Sequence, residues 1–264
     1  PHPAAEDLYD EIGVASTPRA GDIVERVRSL TRDTPSSSAR RKVKKVINDL
    51  GDRWKDRLDE FTALKRLEWL PAKDDNEDWH SPGEVFTPEK KHLFSSQAKF
   101  VDVKNRTVAR PVFRFLDLES DPSTEQIVDH LLHLVEKEKH HGRFEAIYKE
   151  LTKRLRNGTR NDEKQISRLK EAATIHLSQG KFCRPGQVFR SENPFGRFRH
   201  RITDEREYAP FLDYVGVKQE YDEEDAVAVL REIADEYGRG NVLRKEDRAV
   251  WFKCWGVCQS KGLD

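Results

Sequence analysis

The residues best suited to bind a ligand form an arginine- and phenylalanine-rich stretch in the last third of the chain. They are Arg184, Arg190, Phe195, Arg197, Phe198, Arg199 and Arg201. Guanidinium groups bind phosphates and aromatic rings stack on bases, so this alternation is typical of a site for single-stranded nucleic acid. In the alternative interpretation, Phe195 and Phe198 anchor a long loop to the core, while the arginines stay solvated or pair with the acidic cluster between Glu220 and Asp225. The sequence favours this structural role over nucleic-acid binding.

A second basic segment, residues 40–45, reads Arg-Arg-Lys-Val-Lys-Lys, and its outer cations are Arg40, Arg41, Lys44 and Lys45. They alternate with apolar residues at helical spacing, which predicts an amphipathic helix over about residues 38–50 with a solvated basic face. The alternative is that this face binds the acidic surface of a partner or a phosphate backbone.

Residues that could hold a metal or catalyse a reaction have no partners at suitable spacing. His130 and His133 could present two imidazoles to one metal, but no further ligands lie near them in the sequence. Cys254 and Cys258 lie four apart beside two tryptophans, which indicates a buried stripe of a helix. The sequence has no nucleophile elbow, zinc-protease motif, or kinase or nuclease signature. We therefore predict no catalytic residues, no metal and no cofactor.

Charge and composition limit the function classes further. The 48 basic and 48 acidic residues cancel, which argues against a dedicated polyanion binder but leaves room for local basic patches. Hydrophobic and charged residues each make up 36% of the chain. The apolar residues occur in periodic clusters, so a core is expected beneath a charged surface.

Three sequence features bear on where the chain resides. No segment is long and apolar enough to cross a membrane, and no signal peptide opens the chain. Three cysteines form no even-numbered disulfide framework, which predicts a reducing compartment and hence the cytoplasm. The chain has no methionine, even at position 1, so we expect it to be a fragment of a longer protein.

One pattern occurs three times, at residues 12–27, 116–131 and 215–230, which align without a gap. Each copy has an apolar residue, Gly or Asp, another apolar residue, a polar stretch, and the start of an apolar-faced helix. The copies are about 104 and 99 residues apart, so each marks a module of roughly a hundred residues. A second pattern, aromatic-x-x-Pro-Gly-Glu/Gln-Val-Phe, occurs at Trp79–Phe86 and again at Phe182–Phe189.

These patterns predict an α+β architecture of tandem modules that is predominantly helical, each module being a small strand-loop piece followed by a helical pair. Residues 1–60 are predicted to be the helical half of a first module, 61–165 a second module and 166–264 a third. A capping box at Ser123–Gln126 predicts one helix start. Further helices are expected at about 144–155 and 245–260.

Four segments carry a resemblance to a known family. They are Trp69-Leu70-Pro71, Pro82 to Phe86, Phe115 to Leu118 and Pro122 to Leu131. Their order resembles the repeats of sacsin and sacsin-like proteins. Such proteins have an ATPase head of the type shared by gyrase, histidine kinases and the ninety-kilodalton heat-shock chaperones, followed by long non-catalytic regions. The nucleotide-binding motifs of that head are not in this sequence.

The resemblance implies a non-enzymatic scaffold region of a chaperone-related multidomain protein. Such a region would bind a protein partner or client, or other domains of its parent chain, and would relay motion from a head outside this fragment. The alternative is a nucleic-acid-binding module that uses the loop at residues 184–201. The position of the loop arginines distinguishes these two functions. Nucleic-acid binding requires them to share one exposed face, whereas a structural role requires them to be held by carboxylates.

Overall fold

The computed structural model describes residues 18–137, 144–177, 180–203, 206–238 and 241–260. It is mostly helical with small two-stranded sheets, which confirms the predicted predominantly helical α+β class. The chain divides into two compact units. Unit 1 contains the described residues up to Lys91 together with Ser95–Pro122, and unit 2 contains His92–Phe94 and those from Ser123 onward. The division into three modules stays a prediction, and residues 12–17 of the first repeat lie outside the described residues.

Unit 1 contains helices and one small parallel strand pair. The elements are α1 (Ala20–Thr31), α2 (Ser37–Arg53), β1 (Val85–Phe86), α3 (Lys91–Phe94, which spans the unit boundary), β2 (Lys99–Phe100) and α4 (Arg106–Phe115). A run of 3-10 turns occupies Lys55–Arg66, and shorter ones occupy Pro82–Glu84 and Pro88–Lys90. Helix α2 begins where the Ser36 hydroxyl accepts a hydrogen bond from the Ala39 amide, which satisfies one of the free donors at a helix start.

Helices α2 and α4 pack closely against each other in the core of unit 1. A Cβ built on Gly51 of α2 would lie 1.9 Å from the Val108 carbonyl oxygen of α4, so only glycine fits there. Val43 and Ile47 of α2 and Val112 of α4 are buried in the same core. Helix α4 was not predicted from the sequence. It contains Pro111, a residue that normally interrupts helices.

Unit 2 contains six helices and four short strands among its described residues from Ser123 onward. The helices are α5 (Thr124–Glu136), α6 (Phe144–Asn157), α7 (Arg160–Ser167), α8 (Ala209–Val215), α9 (Glu223–Tyr237) and α10 (Lys245–Ser260). The strands are β3 (Ile175–His176), β4 (Phe182–Cys183), β5 (Val188–Phe189) and β6 (His200–Arg201). The predicted capping box is confirmed, because the Ser123 hydroxyl accepts from the Gln126 amide and the Ser123 amide donates to the Gln126 side chain.

Tyr148 joins three elements of unit 2. Its hydroxyl donates to the Thr174 carbonyl at 2.7 Å and accepts from the His176 amide of β3 at 2.9 Å. Its ring stacks on Phe211 of α8, with ring centroids 5.1 Å apart. Burial raises the pKa of Tyr148, so the phenol stays protonated and can keep donating.

Two copies of the repeated sequence patterns adopt the same local structure. Asp117 and Gly216, equivalent in the alignment, both have a positive φ, 59° and 102°, and each ends a helix. The residue after each one closes the turn: the Leu118 amide donates to Phe113, and the Val217 amide donates to Leu212. This left-handed helix end explains why the pattern holds Gly or Asp at this position.

The Pro-Gly-Glu/Gln-Val-Phe pattern also folds alike in both units. The Pro-Gly portion forms a 3-10 turn, at Pro82–Glu84 and Pro185–Gln187. The Val-Phe portion then forms a strand in a parallel pair, β1 with β2 and β5 with β6. In both units, the backbone amide of the residue after the Val-Phe strand donates a hydrogen bond to the segment at the left-handed helix end.

Candidate anion-binding site

The phenylalanines of the 184–201 loop are part of the core of unit 2. Phe195 is fully buried and Phe198 nearly so, and both pack in a cluster with Ala226, Val229 and the inner face of α10. Rings enclosed in this way have no free face for a base. The two rings that the nucleic-acid alternative needs as stacking platforms are therefore covered by the apolar faces of α9 and α10.

Arg197 of the same loop is held by two carboxylates. Its guanidinium donates to Asp247 at 3.1 Å through two nitrogens and to Glu236 at 2.6 Å. Asp247 also accepts from the Tyr237 hydroxyl at 2.5 Å. The hydrogen bonds from Arg197 hold the pKa of Asp247 below its usual range, and Asp247, followed by Glu236, raises the pKa of Arg197.

Two further arginines of the loop are buried and paired. Arg199 donates to the Glu232 carboxylate at 2.9 and 3.0 Å and to the Phe198 carbonyl. Arg190 donates to Asp213 at 2.6 Å and to a carbonyl of α8. With three of its arginines neutralised, the loop serves to join β5, β6, α8, α9 and α10.

The carboxylates that hold Arg190, Arg197 and Arg199 lie outside the predicted 220–225 cluster. The 220–225 cluster pairs with Lys218, whose ammonium group donates to Asp222 at 2.8 Å and Asp225 at 2.9 Å. Desolvation lowers the pKa of Lys218, but the hydrogen bonds to the two carboxylates raise it by more, so the pKa of Lys218 is raised overall. Arg184 and Arg201 are exposed and, among the described residues, form no salt bridge.

The remaining chemical candidates of unit 2 are dispersed. His130 is buried in α5 and His133 is half-buried. All three cysteines are free and buried, and burial raises the pKa of Cys183 and takes that of Cys254 to about 11. Within the described residues, no group of three or more His, Cys, Asp or Glu side chains is arranged to hold a metal ion.

The basic segment of α2 differs from its prediction in one respect. Arg40 does not face solvent: it is only 7% exposed, and its guanidinium donates to the Ala72 carbonyl at 2.6 Å and the Asp75 carbonyl at 2.5 Å. Lys44 is half-buried and pairs with Asp102, which lies 3.5 Å from Arg40. The prediction of a fully solvated basic face is therefore wrong for Arg40, because the 72–75 backbone has carbonyls that need donors.

These residues line a concavity of about 590 Å³ in unit 1. We call it the basic pocket and define it by Arg40, Arg41, Lys44, Lys45, Lys104 and Asp102. Arg41 and Lys45 are exposed and so is Lys104. Among the described residues, these three form no salt bridge. Sequence reasoning found four of the cations, but Asp102 and Lys104 lie some 60 residues further along the chain, and no sequence pattern links them to α2.

Four neutral residues also line the basic pocket: Pro35, Ser37, Asn48 and Asn76. The Asn48 side-chain oxygen is buried and accepts no hydrogen bond from the described residues. The first turn of α2, which begins at Ser37, contains no acidic residue. The partial positive charge of this helix end therefore adds to the field of the cations.

Three comparisons with known proteins bear on the origin of this chain. No protein-family model, no curated protein and no solved structure matches it. The resemblance to sacsin-like repeats therefore stays a prediction. In the part of the chain that the structure covers, no helix is both long and apolar enough to cross a bilayer.

Proposed function

We propose that this chain is a non-catalytic interaction region whose basic pocket binds an acidic segment of a protein partner. The partner is a separate client or another domain of the same parent chain. The region belongs to a sacsin-like, chaperone-related multidomain ATPase protein, is built from tandem modules of about a hundred residues, and works in a reducing compartment such as the cytoplasm.

The observation that carries this proposal is the charge imbalance of the basic pocket. Five cations line it against one carboxylate, Asp102, so 5 − 1 leaves four positive charges uncompensated in a concave surface. Over the whole chain the charges cancel, since basic and acidic residues are equal in number, so the remaining residues carry an excess of negative charge. Such a local excess attracts an anionic surface and sets both its approach and its orientation.

A protein segment fits the pocket better than a nucleic acid does. No aromatic side chain lines the pocket, whereas proteins that bind single strands stack bases on exposed rings. The rings of the 184–201 loop, which were the sequence-based candidates, are buried in unit 2. Duplex binding would require cations in a stripe along the surface, whereas the cations of the basic pocket line a single concavity.

The scaffold part of the proposal draws on the repeated local structure. Both units contain the 3-10 turn, the parallel strand pair and the left-handed helix end that the repeated patterns encode. Repeated units joined in series are a common way to build an extended binding surface without an active site. The sacsin-like resemblance, which rests on these same motifs, supplies the remaining support.

The proposal is tested by measuring the fluorescence anisotropy of a labelled polyglutamate peptide titrated with the full chain. We expect binding that weakens with rising salt, because the attraction is screened. The triple variant R41Q/K45Q/K104Q removes the three unpaired cations and should weaken binding about tenfold or more. K42Q is the matched control for K45Q alone, since each removes one exposed lysine of the same helix and only Lys45 lines the pocket.

Two results would overturn the proposal. One is an absence of binding at low salt, where weak ionic contacts are strongest. The other is equal weakening by K45Q and by K42Q, which would show a non-specific charge effect. A labelled single-stranded oligonucleotide is titrated in parallel, and tighter binding of the oligonucleotide would favour the nucleic-acid alternative.

A further inference from the structure

We infer that the basic pocket recognises a phosphorylated serine or threonine within the bound protein segment. This inference rests on the proposed function and narrows its ligand from acidic side chains in general to a phosphoryl group. Three features of the pocket support it: the amount of positive charge, the arrangement of the donors, and the Asn48 oxygen, which has no donor among the described residues.

The charge of the pocket suits a dianion. A phosphoryl group carries about −1.5 to −2 charges at neutral pH and has three strong acceptor oxygens, while a glutamate carries one charge. Four positive charges remain in the pocket after Asp102 is counted. A single carboxylate would leave most of that charge unbalanced, whereas one phosphoryl group would balance about half of it from a single side chain.

The donors come from two separate segments and surround a common space. Arg41 and Lys45 lie on α2, and Lys104 lies in the connection between β2 and α4. Arginine binds a phosphate through two parallel N–H groups, and lysine adds a movable point charge. Three independent donors can therefore bind the three terminal oxygens of one phosphoryl group.

The base of the pocket is already ordered. Arg40 is fixed by the Ala72 and Asp75 carbonyls, and Lys44 is fixed by Asp102. Their positive charges therefore stay in place without a ligand, and little side-chain freedom is lost when one binds. The space of about 590 Å³ is large enough for a phosphorylated side chain with part of its backbone.

The Asn48 oxygen indicates what accompanies the phosphoryl group. It is a buried acceptor with no donor among the described residues, and it lines the same pocket as the cations. A buried polar group without a partner is costly, so a ligand that brings an N–H group gains by meeting it. A peptide offers both features at once, a phosphoryl group and, within the same few atoms, backbone N–H donors.

The test compares three labelled peptides of glycine and asparagine that differ only at one central position, which is serine, glutamate or phosphoserine. Each is titrated into the full chain at low salt. The phosphoserine peptide should bind at least about tenfold more tightly than the glutamate peptide, and the serine peptide should not bind. Binding of the phosphoserine peptide should also weaken as the pH falls below about 6, where the second phosphate proton returns, while glutamate binding should not change in that range.

The outcomes separate this inference from the proposed function. Equal affinity for glutamate and phosphoserine would overturn the inference and leave the proposed function standing. Failure of both peptides and of polyglutamate would overturn both. Displacement of the phosphoserine peptide by a lower concentration of single-stranded oligonucleotide would overturn the inference in favour of nucleic-acid phosphates. Since these comparisons use the unaltered chain, no result depends on whether a variant folds.

For the site itself, N48L is the most selective variant. It removes the buried acceptor without changing the charge, so it should weaken phosphoserine peptide binding severalfold. The affinity for inorganic phosphate, measured by its displacement of the labelled peptide, should stay unchanged. An equal loss for both ligands would contradict the role assigned to Asn48. Circular dichroism and urea unfolding confirm that the variant is folded.

Discussion

Replacing Asp247 with asparagine tests whether the 184–201 loop is a structural element. Asp247 is 3% exposed and accepts three hydrogen bonds, two from Arg197 and one from Tyr237. Asparagine keeps the size but removes the charge and one acceptor oxygen. Hydrogen bonds to charged groups contribute about 1.5–3 kcal/mol each. Arg197 is 44% exposed and can be rehydrated, so we expect a net loss of about 2–3 kcal/mol in the free energy of unfolding of unit 2.

Glu236 provides a matched control on the same arginine. Its side chain is 39% exposed, and exposed ion pairs contribute about 1 kcal/mol or less, so E236Q should cost much less than D247N. Hydrogen exchange of the α9 and α10 amides reports the local opening free energy, and urea unfolding followed by tryptophan fluorescence reports the global loss. Equal effects of the two variants, or a cost below about 1 kcal/mol for D247N, would refute the structural role assigned to the loop.

Three further predictions concern stability. G51A should destabilise unit 1 by about 3 kcal/mol or more, because its Cβ would meet the Val108 carbonyl at 1.9 Å; thermal unfolding measures this, and an unchanged Tm would contradict it. Y148F should cost about 1–3 kcal/mol, since it removes the two hydrogen bonds that the buried hydroxyl makes with the Thr174 carbonyl and the His176 amide; urea unfolding tests it, and a stabilised variant would count against it. Because the pKa of Asp247 is lowered by Arg197, its contribution is present above its unfolded pKa of about 3.9 and is lost as the pH falls through its folded pKa. As the pH is lowered through this range, the free energy of unfolding should therefore fall less for D247N than for the wild-type chain. An unchanged pH dependence would show that Asp247 does not contribute to it.

The elements with strong local signals were predictable from the sequence. Helix α2 follows from apolar residues at helical spacing, and α5 from the capping box at Ser123. Gly or Asp in the repeated pattern marks a left-handed helix end, as the positive φ of Asp117 and Gly216 shows. In each case the determining residues lie within a few positions of one another, so local rules suffice.

Features that depend on distant contacts were not predictable. Arg40 looks like a surface residue because its neighbours are basic, yet carbonyls of residues 72 and 75 bury it. The loop arginines pair with Glu232, Glu236 and Asp247, whose positions only the packing of α9 and α10 decides. The basic pocket likewise needs Asp102 and Lys104 from another part of unit 1.

The burial of Phe195 and Phe198 also changes how nucleic-acid binding must be tested. Substituting glutamate for Arg197 and Arg199 would break their ion pairs with Asp247, Glu236 and Glu232. Loss of binding in such a variant would then report unfolding of unit 2. Arg184 and Arg201 are exposed, so the R184Q/R201Q variant tests the loop without this complication.

The central claim is that an acidic protein segment binds in the basic pocket, and zero-length carbodiimide cross-linking tests it most directly. The polyglutamate peptide is coupled to the full chain, and the linked lysines are identified by mass spectrometry. Because the reagent joins a carboxylate to an amine only when the two are in contact, we predict links at Lys45 and Lys104 that increase with peptide concentration and saturate. Lys42, exposed on the same helix outside the pocket, should react only weakly. Equal labelling of Lys42, Lys45 and Lys104 without saturation would contradict the claim.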